Sequence, residues 1–279
     1  MPQNNIIAIC YDFDKTLSPR NMQEDTIFKE YKIDADRFWR EVSRVTKNEG
    51  YDGALCYLNK LIFDPAYQKK PLTEKRLATL ARKVRYCPGV KSFFPRIHRF
   101  VENQARCAGQ DVSLEHYIIS SGLKTILDKM SIRKYFKAIY ACEYEYGKDK
   151  APKGVKTIIN DAMKTQCLFR ISKGKLGLHE DVNERVEKGA FRIPFSQMIF
   201  IGDGDSDVPS MTIVKKYGGQ AVAVYPPGRA AKKRSLKIFS TGRAGHVAAA
   251  DYTEGSRLDQ ILKTIIKDII RNIPEKPNE

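Results

Sequence analysis

No stretch of the 279-residue chain approaches the ~18 consecutive apolar residues that a helix needs to span a bilayer, so a helical membrane protein is not expected. The opening MPQNNIIAIC has no basic n-region and does not read as a signal peptide. Cysteines are few and scattered: six (Cys10, Cys56, Cys87, Cys107, Cys142, Cys167), with no CxxC and no histidine at metal-ligand spacing. That argues against zinc and for reduced, buried thiols in a cytoplasmic protein. Repeats and low-complexity tracts are absent, which removes solenoids and disordered arrays.

What is there alternates. IIAICY (6–11) is β-branched and apolar, as in a strand buried on both faces of a parallel sheet. Similar runs recur at 116–119 (HYII), 138–141 (AIYA), 198–201 (MIFI) and 221–224 (AVAV), with helical patterns between most of them, such as 90–102 and 125–130. Alternation of this kind predicts an α/β domain with a parallel sheet. Residues 18–87 differ, showing helix-type spacing and almost no strand signal: IFKEYKI, FWREVSRV, ALCYLNKLIF and LTEKRLATLARKV. They read as an all-helical insertion closed by the Pro88-Gly89 turn, leaving 1–17 and 88–279 as the α/β core. Near the C-terminus, SRLDQILKTIIKDII places Leu258, Ile261, Leu262, Ile265, Ile266, Ile269 and Ile270 on one face, a helix packed on the sheet. IPEKPNE then reads as a frayed tail.

The chemistry gathers at strand ends. CYDFDKTLSP puts Asp12 and Asp14 directly after the first apolar run, with Phe13 between them turned to the opposite face by strand alternation. MIFIGDGDSDVPSM puts Asp203, Asp205 and Asp207 after a late strand, with Gly202 and Gly204 allowing a tight turn. In open α/β sheets the ligand crevice lies at the carboxyl ends of strands. Asp12, Asp14 and Asp203 are therefore expected to converge on one hard cation, Mg²⁺ with its oxygen ligands. The alternative, an EF-hand loop starting at Asp203, fails at Val208 where Gly is needed and at Val214 where Glu is needed.

Taken in order, DFDKTL, CPGVKSFFPRI, YIISSGL and FIGDGDSDVPSM resemble the motifs of the haloacid-dehalogenase-like (HAD) superfamily, in its phosphoserine-phosphatase-like branch; QCLFRISKG and the last of these are similar to uncharacterised bacterial hydrolases of that branch. The resemblance implies a Rossmann-like core of three α/β/α layers with a helical cap. It also implies a Mg²⁺-dependent phosphatase acting on the phosphate monoester of a small metabolite. By that resemblance Asp12 is the nucleophile that forms an aspartyl-phosphate, and Asp14 is the general acid/base. Asp12, Asp14 (through its backbone carbonyl), Asp203 and Asp207 form the metal site, and Ser120 and Ser121 stand at the phosphate-binding motif. The motif lysine, both catalytic and phosphate-binding, is expected at Lys173, with Lys153 and Lys175 as competitors. Arg20, Trp39, Arg40 and Arg44 in the insertion are candidates to touch the leaving group.

A phosphotransferase or phosphomutase would share the covalent intermediate. The net charge of +16 and the basic stretch RAAKKRSLK (229–237) raise a reading from another class, a nucleic-acid-binding or regulatory protein on the same fold. A solvated helix face explains that stretch as well, and composition leaves the oligomeric state and the natural substrate open.

Overall fold

The structure, a computed structural model, describes residues 5–65, 70–187 and 189–273; most of the expected tail, 274–279, lies outside them. Among the described residues seven strands form one sheet: β1 (Ile6–Tyr11), β2 (Ser113–Leu123), β3 (Phe136–Tyr146), β4 (Pro152–Thr157), β5 (Met198–Gly202), β6 (Gln220–Tyr225) and β7 (His246–Ala249). Their spatial order is β4-β3-β2-β1-β5-β6-β7, and every pairing is parallel except that of β3 with β4. Ile7 to Tyr11 have no exposed surface, which is why the first run lacks polar alternation: β1 is central and covered on both faces.

The helices that position the site are α1 (Met22–Asp25), α2 (Ile27–Tyr31), α3 (Ala35–Glu49), α4 (Gly53–Phe63), α5 (Glu74–Leu80), α6 (Val90–Cys107), α7 (Lys124–Leu127), α8 (Asp161–Lys173), α9 (Val208–Lys216), α10 (Arg229–Ser240) and α11 (Arg257–Asn272). Helices α6 and α11 pack against one another on one face of the sheet, and α8 and α9 pack together on the other. This three-layer arrangement follows from handedness. The chain leaves β1 towards β2 and β3, then returns to the other side of β1 through β5, β6 and β7; right-handed crossovers in opposite directions put their helices on opposite faces. The reversal leaves a crevice at the carboxyl end of β1.

The seven apolar positions expected on α11 are all buried, and Ser256 caps the helix by accepting from Asp259 N–H at 3.1 Å. Each such Leu or Ile contributes about 1.5–3 kcal/mol of burial. The expected strands extend further than their apolar runs, β2 reaching Leu123, while the helix expected over 125–130 is only the single turn α7. β4 and β7 were not anticipated. β4, PKGVKT, begins with Pro and carries two lysines, the composition of an edge strand.

The described part of 18–87 is helical throughout its regular structure. Its two ends meet: Cys87 N–H donates to the Leu17 carbonyl at 2.9 Å. The chain then turns into α6 through Gly89 at φ +75°, where a Cβ would lie 2.3 Å from the backbone nitrogen of Thr253. Among the described residues all six cysteines are free, and only Cys107 is exposed. No described helix is long and apolar enough to cross a membrane.

Candidate functional site

Asp12 lies just past β1, its N–H donating to the Ile201 carbonyl of β5 at 2.9 Å, so the first acid is pinned beside the strand that leads to the second set. Phe13 is fully buried, as alternation requires, and its carbonyl accepts from the N–H groups of Thr16, Leu17 and Ser18. That tight turn, with Lys15 at φ +61°, swings Asp14 back toward the crevice. There its Oδ1 accepts from Met22 N–H at 2.7 Å, tying the acid to the first helix of the insertion.

After β5, Asp207 folds back under its own loop: Oδ2 accepts from the N–H groups of Asp203 (3.0 Å) and Gly204 (3.2 Å). Gly202 makes room for it, since a Cβ there would sit 2.4 Å from that Oδ2. One carboxylate oxygen from each of Asp12, Asp203 and Asp207 lies within 4.8 Å of the others.

The lysine among them is Lys164, not Lys173. Lys164 Nζ donates to Asp12 Oδ1 at 2.9 Å and to Asp207 Oδ1 at 2.7 Å, and the residue is 1% exposed. It occupies the first turn of α8, which Asn160 opens by accepting from Met163 N–H at 3.0 Å. Lys173 stands nine positions on, two and a half turns and roughly 13 Å along the axis, on the opposite side of the helix. Its Nζ donates to the carbonyls of Val182 and Glu184, both at 2.8 Å. Lys153 and Lys175 pair with Glu145 and Glu184, each at 2.8 Å and away from the acids. The expectation at Lys173 assumed that LFRI leads into a site; that run lies inside α8 and packs against the core. The missed residue had a signal: Lys164, Cys167, Leu168 and Ile171 share the buried stripe of α8, and a lysine in such a stripe needs buried anionic partners.

Electrostatics set the acids apart. Burial raises Asp12 to about 6, against the lowering by Lys164 and with a further push from Asp207. Burial first, then the Asp12 charge, raises Asp14 to about 8. Asp203 is pushed well above the carboxylate range by burial and by Asp207 and Asp12. For Lys164 burial works downward, but the two carboxylates outweigh it and hold the amine above the ordinary lysine value. Lys164 within the cluster and Arg234 at its rim, 4.0 Å from Asp203 Oδ2, face three carboxylates, with Asp14 close by, so the cluster is short of positive charge. Hard oxygen donors in that state fit a divalent cation such as Mg²⁺.

Ser120, three residues before the end of β2, is buried and accepts from Gly122 N–H at 3.0 Å. Ser121 differs: its hydroxyl proton goes to the Ile159 carbonyl at 2.7 Å, and its carbonyl accepts from Tyr57 OH at 2.5 Å. Both serines, with Asp12, Asp14, Lys164 and Asp203, line one cavity of about 610 Å³. The insertion supplies another part of the wall, including Gln23, Trp39, Asp52 and Tyr57. Of the four side chains expected to reach a leaving group only Trp39 is in that wall. Arg20 approaches Asp25 at 4.0 Å and Arg44 approaches Glu49 at 3.8 Å, while Arg40 is not among the lining residues.

No protein-family model matches the chain. An uncharacterized protein of Borreliella burgdorferi is 31% identical over 283 positions, spanning 92% of this chain and 95% of its own. A HAD family hydrolase from Salmonella enterica serovar Typhi superposes with a TM-score of 0.57 at 16% identity, over 95% of this chain and 72% of the other. A substrate-bound phosphoserine phosphatase gives 0.55 at 16%, over 92% and 97%. A phospho-aspartyl intermediate analogue of phosphoserine phosphatase gives 0.53 at 17%, over 93% and 99%.

Proposed function

Because the chain belongs to one family with the uncharacterized Borreliella burgdorferi protein and has the HAD-like fold of the phosphoserine-phosphatase-like form, we propose that it is a Mg²⁺-dependent phosphatase of small phosphate monoesters. The observation that carries this reading is Lys164 held between Asp12 and Asp207, with Asp14 two residues on in the same cavity. Asp12, Asp203 and Asp207, with the backbone carbonyl of Asp14, would hold the cation. When bound, it would offset the negative charge of the incoming phosphate and keep Asp12 ionised.

Ser120 and Lys164 bind and orient the phosphoryl oxygens, and an Asp12 carboxylate oxygen attacks phosphorus. The aspartyl–phosphorus bond forms as the bond to the leaving oxygen breaks. Asp14, whose carboxyl is pushed above its ordinary value by burial and by the neighbouring Asp12 charge, gives its proton to the departing alkoxide. Water then enters, Asp14 takes a proton back, and attack on phosphorus breaks the bond to Asp12 and releases inorganic phosphate. The helical insertion, residues 18–87, acts as a cap over the site, excluding bulk water and carrying Met22, whose N–H fixes Asp14. Free, mostly buried thiols accord with a cytoplasmic setting.

The test is phosphate release from a panel of phosphorylated metabolites with and without Mg²⁺, wild type against Asp12→Asn. Metal-dependent release that Asp12→Asn abolishes is expected. Equal release without metal, or an active Asp12→Asn, overturns the mechanism. Phosphoryl appearing on an added alcohol acceptor in preference to water would identify a phosphotransferase instead.

A further inference from the structure

From Val208 to Ala250 the chain carries eight lysines and arginines and no acidic residue, half of the formal net charge in 43 positions. Five of the eight lie on α10, a helix whose N-terminus opens at the carboxyl end of β6, the same sheet edge as Asp203. Its inner side is fixed by Ser235, whose hydroxyl donates to the Val224 carbonyl at 2.8 Å. At 100° per residue, Arg229, Lys233 and Lys237 follow each other at i, i+4 and i+8 along the exposed face. Arg234 flanks them on the cavity side, lining the cavity wall and approaching Asp203 Oδ2 at 4.0 Å. Arg229, Lys233 and Lys237 have no ion-pair partner among the described residues.

This placement works against the helix. Like charges four residues apart repel, and cations in the first turn oppose the helix dipole; no acid stands in that turn to offset them, and only Lys237, in the last turn, complements the dipole. Helix stability therefore does not account for the charges, whereas a polyanion laid along them would relieve both effects. The spacing between successive cations, about 6 Å along the axis, suits successive phosphates of an extended single strand. Phe239, 42% exposed, adds an aromatic face on which an unstacked base can rest, and Leu236, also 42% exposed, adds apolar surface one turn before it. Two apolar side chains within a charged face are too few for a membrane-inserting surface.

We propose that the exposed face of α10 is a track for single-stranded nucleic acid, delivering a terminal phosphate of the strand past Arg234 into the cavity. The delivery half rests on the phosphatase reading; the binding half does not.

The test compares wild type with Arg229→Gln/Lys233→Gln/Lys237→Gln and with a control of equal charge change, Lys47→Gln/Lys75→Gln/Lys148→Gln, all three exposed and on other elements: α3, α5 and the link between β3 and β4. Binding to a fluorescent single-stranded oligonucleotide is measured by anisotropy across salt, and phosphate release is measured on p-nitrophenyl phosphate and on the oligonucleotide with a phosphate at either end. The track variant is expected to bind about tenfold more weakly, with the slope of log K against log salt smaller by about 2 for three lost phosphate contacts. Its kcat/KM should fall on the oligonucleotide and hold on p-nitrophenyl phosphate, while the control binds like wild type.

Equal loss in the control, or no loss in the track variant, overturns the proposal. So does a loss confined to phosphatidylglycerol vesicles, which would make the face a membrane contact. A wild type that cleaves p-nitrophenyl phosphate but binds no oligonucleotide refutes the track and leaves the phosphatase reading standing. One that binds through α10 but cleaves neither substrate refutes the phosphatase reading and leaves the track.

Discussion

Lys164 and Lys173 stand at the two ends of one helix, and their surroundings share almost nothing. At the first end the amine is buried between two carboxylates; at the other it rests on two loop carbonyls at the surface. The same side chain is a counter-ion in one place and a strut in the other, and what separates them is half a helical turn of phase. Charge alone therefore says little about role in so basic a chain; the packing of the neighbouring residues says much more.

The largest expected effect breaks that comparison directly. Lys164→Met should lower kcat for phosphate release by ~10³-fold, because a preorganised cation facing the phosphoryl group is lost in a water-poor site. Lys173→Met should stay within about twofold of wild type, losing two contacts to backbone carbonyls away from the acids. Steady-state kinetics on p-nitrophenyl phosphate decide it, with circular dichroism confirming that both fold. If the two variants lose activity equally, the placement of the site at the start of α8 is wrong.

Asp14→Asn comes next, since it keeps the shape and removes the transferable proton. A loss of ~10²-fold is expected on alkyl phosphates, which need their leaving oxygen protonated. The loss should be smaller on p-nitrophenyl phosphate, whose leaving group departs unaided. Equal losses on both would assign Asp14 a purely structural part through Met22.

How the site was read from sequence divides along the same line. That Asp12, Asp14 and Asp203 stand at one end of the sheet was legible because each set follows an apolar run at a strand end. That the third clustered carboxylate is Asp207 and not the Asp14 side chain was not, because it depends on how the turn after β5 folds back on itself. The parallel sheet was legible from the same apolar runs, its central strands being apolar on both faces. Lys164 was harder to find: its place in the apolar stripe of α8 marks it as needing a buried anion, but its partner Asp12 lies 152 residues away and the stripe does not say which acid that is. The β3–β4 hairpin inserted before α8 lengthened the path to it. β7, only His246–Ala249, and the lysine-bearing edge strand β4 were hidden because short or edge strands carry little hydrophobic signal.

The buried end of the comparison also has a pH signature. Asp12 and Asp14 are raised, to about 6 and about 8, so the metal-free folded protein binds more protons than the unfolded chain. The stability these groups contribute is full below their unfolded value of 3.8 and is lost as pH rises through about 6 and then about 8. A divalent cation binds the ionised form and reverses the trend. The rise in Tm on replacing EDTA with Mg²⁺ should therefore grow between pH 5 and pH 8, roughly the window those two values define. A Mg²⁺ effect that is flat or larger at the acid end would remove the cation from this cluster.

The smallest effect sharpens the contrast within a single pair of neighbours. Ser120 and Ser121 are adjacent on β2, yet only Ser120 keeps a hydroxyl free to donate to a phosphate oxygen, having accepted from Gly122 N–H. Ser121 has given its proton to the Ile159 carbonyl, in the segment that leads into α8. Ser121→Ala should cost about 1 kcal/mol by leaving that carbonyl unpaired, a Tm fall of about 2 °C for a chain of this size, with KM nearly unchanged. Ser120→Ala should reverse the pattern, raising KM several-fold with a smaller change in Tm. Thermal melts and KM for both variants read this directly, and a KM shift in Ser121→Ala as large as that in Ser120→Ala would place both hydroxyls on the phosphate.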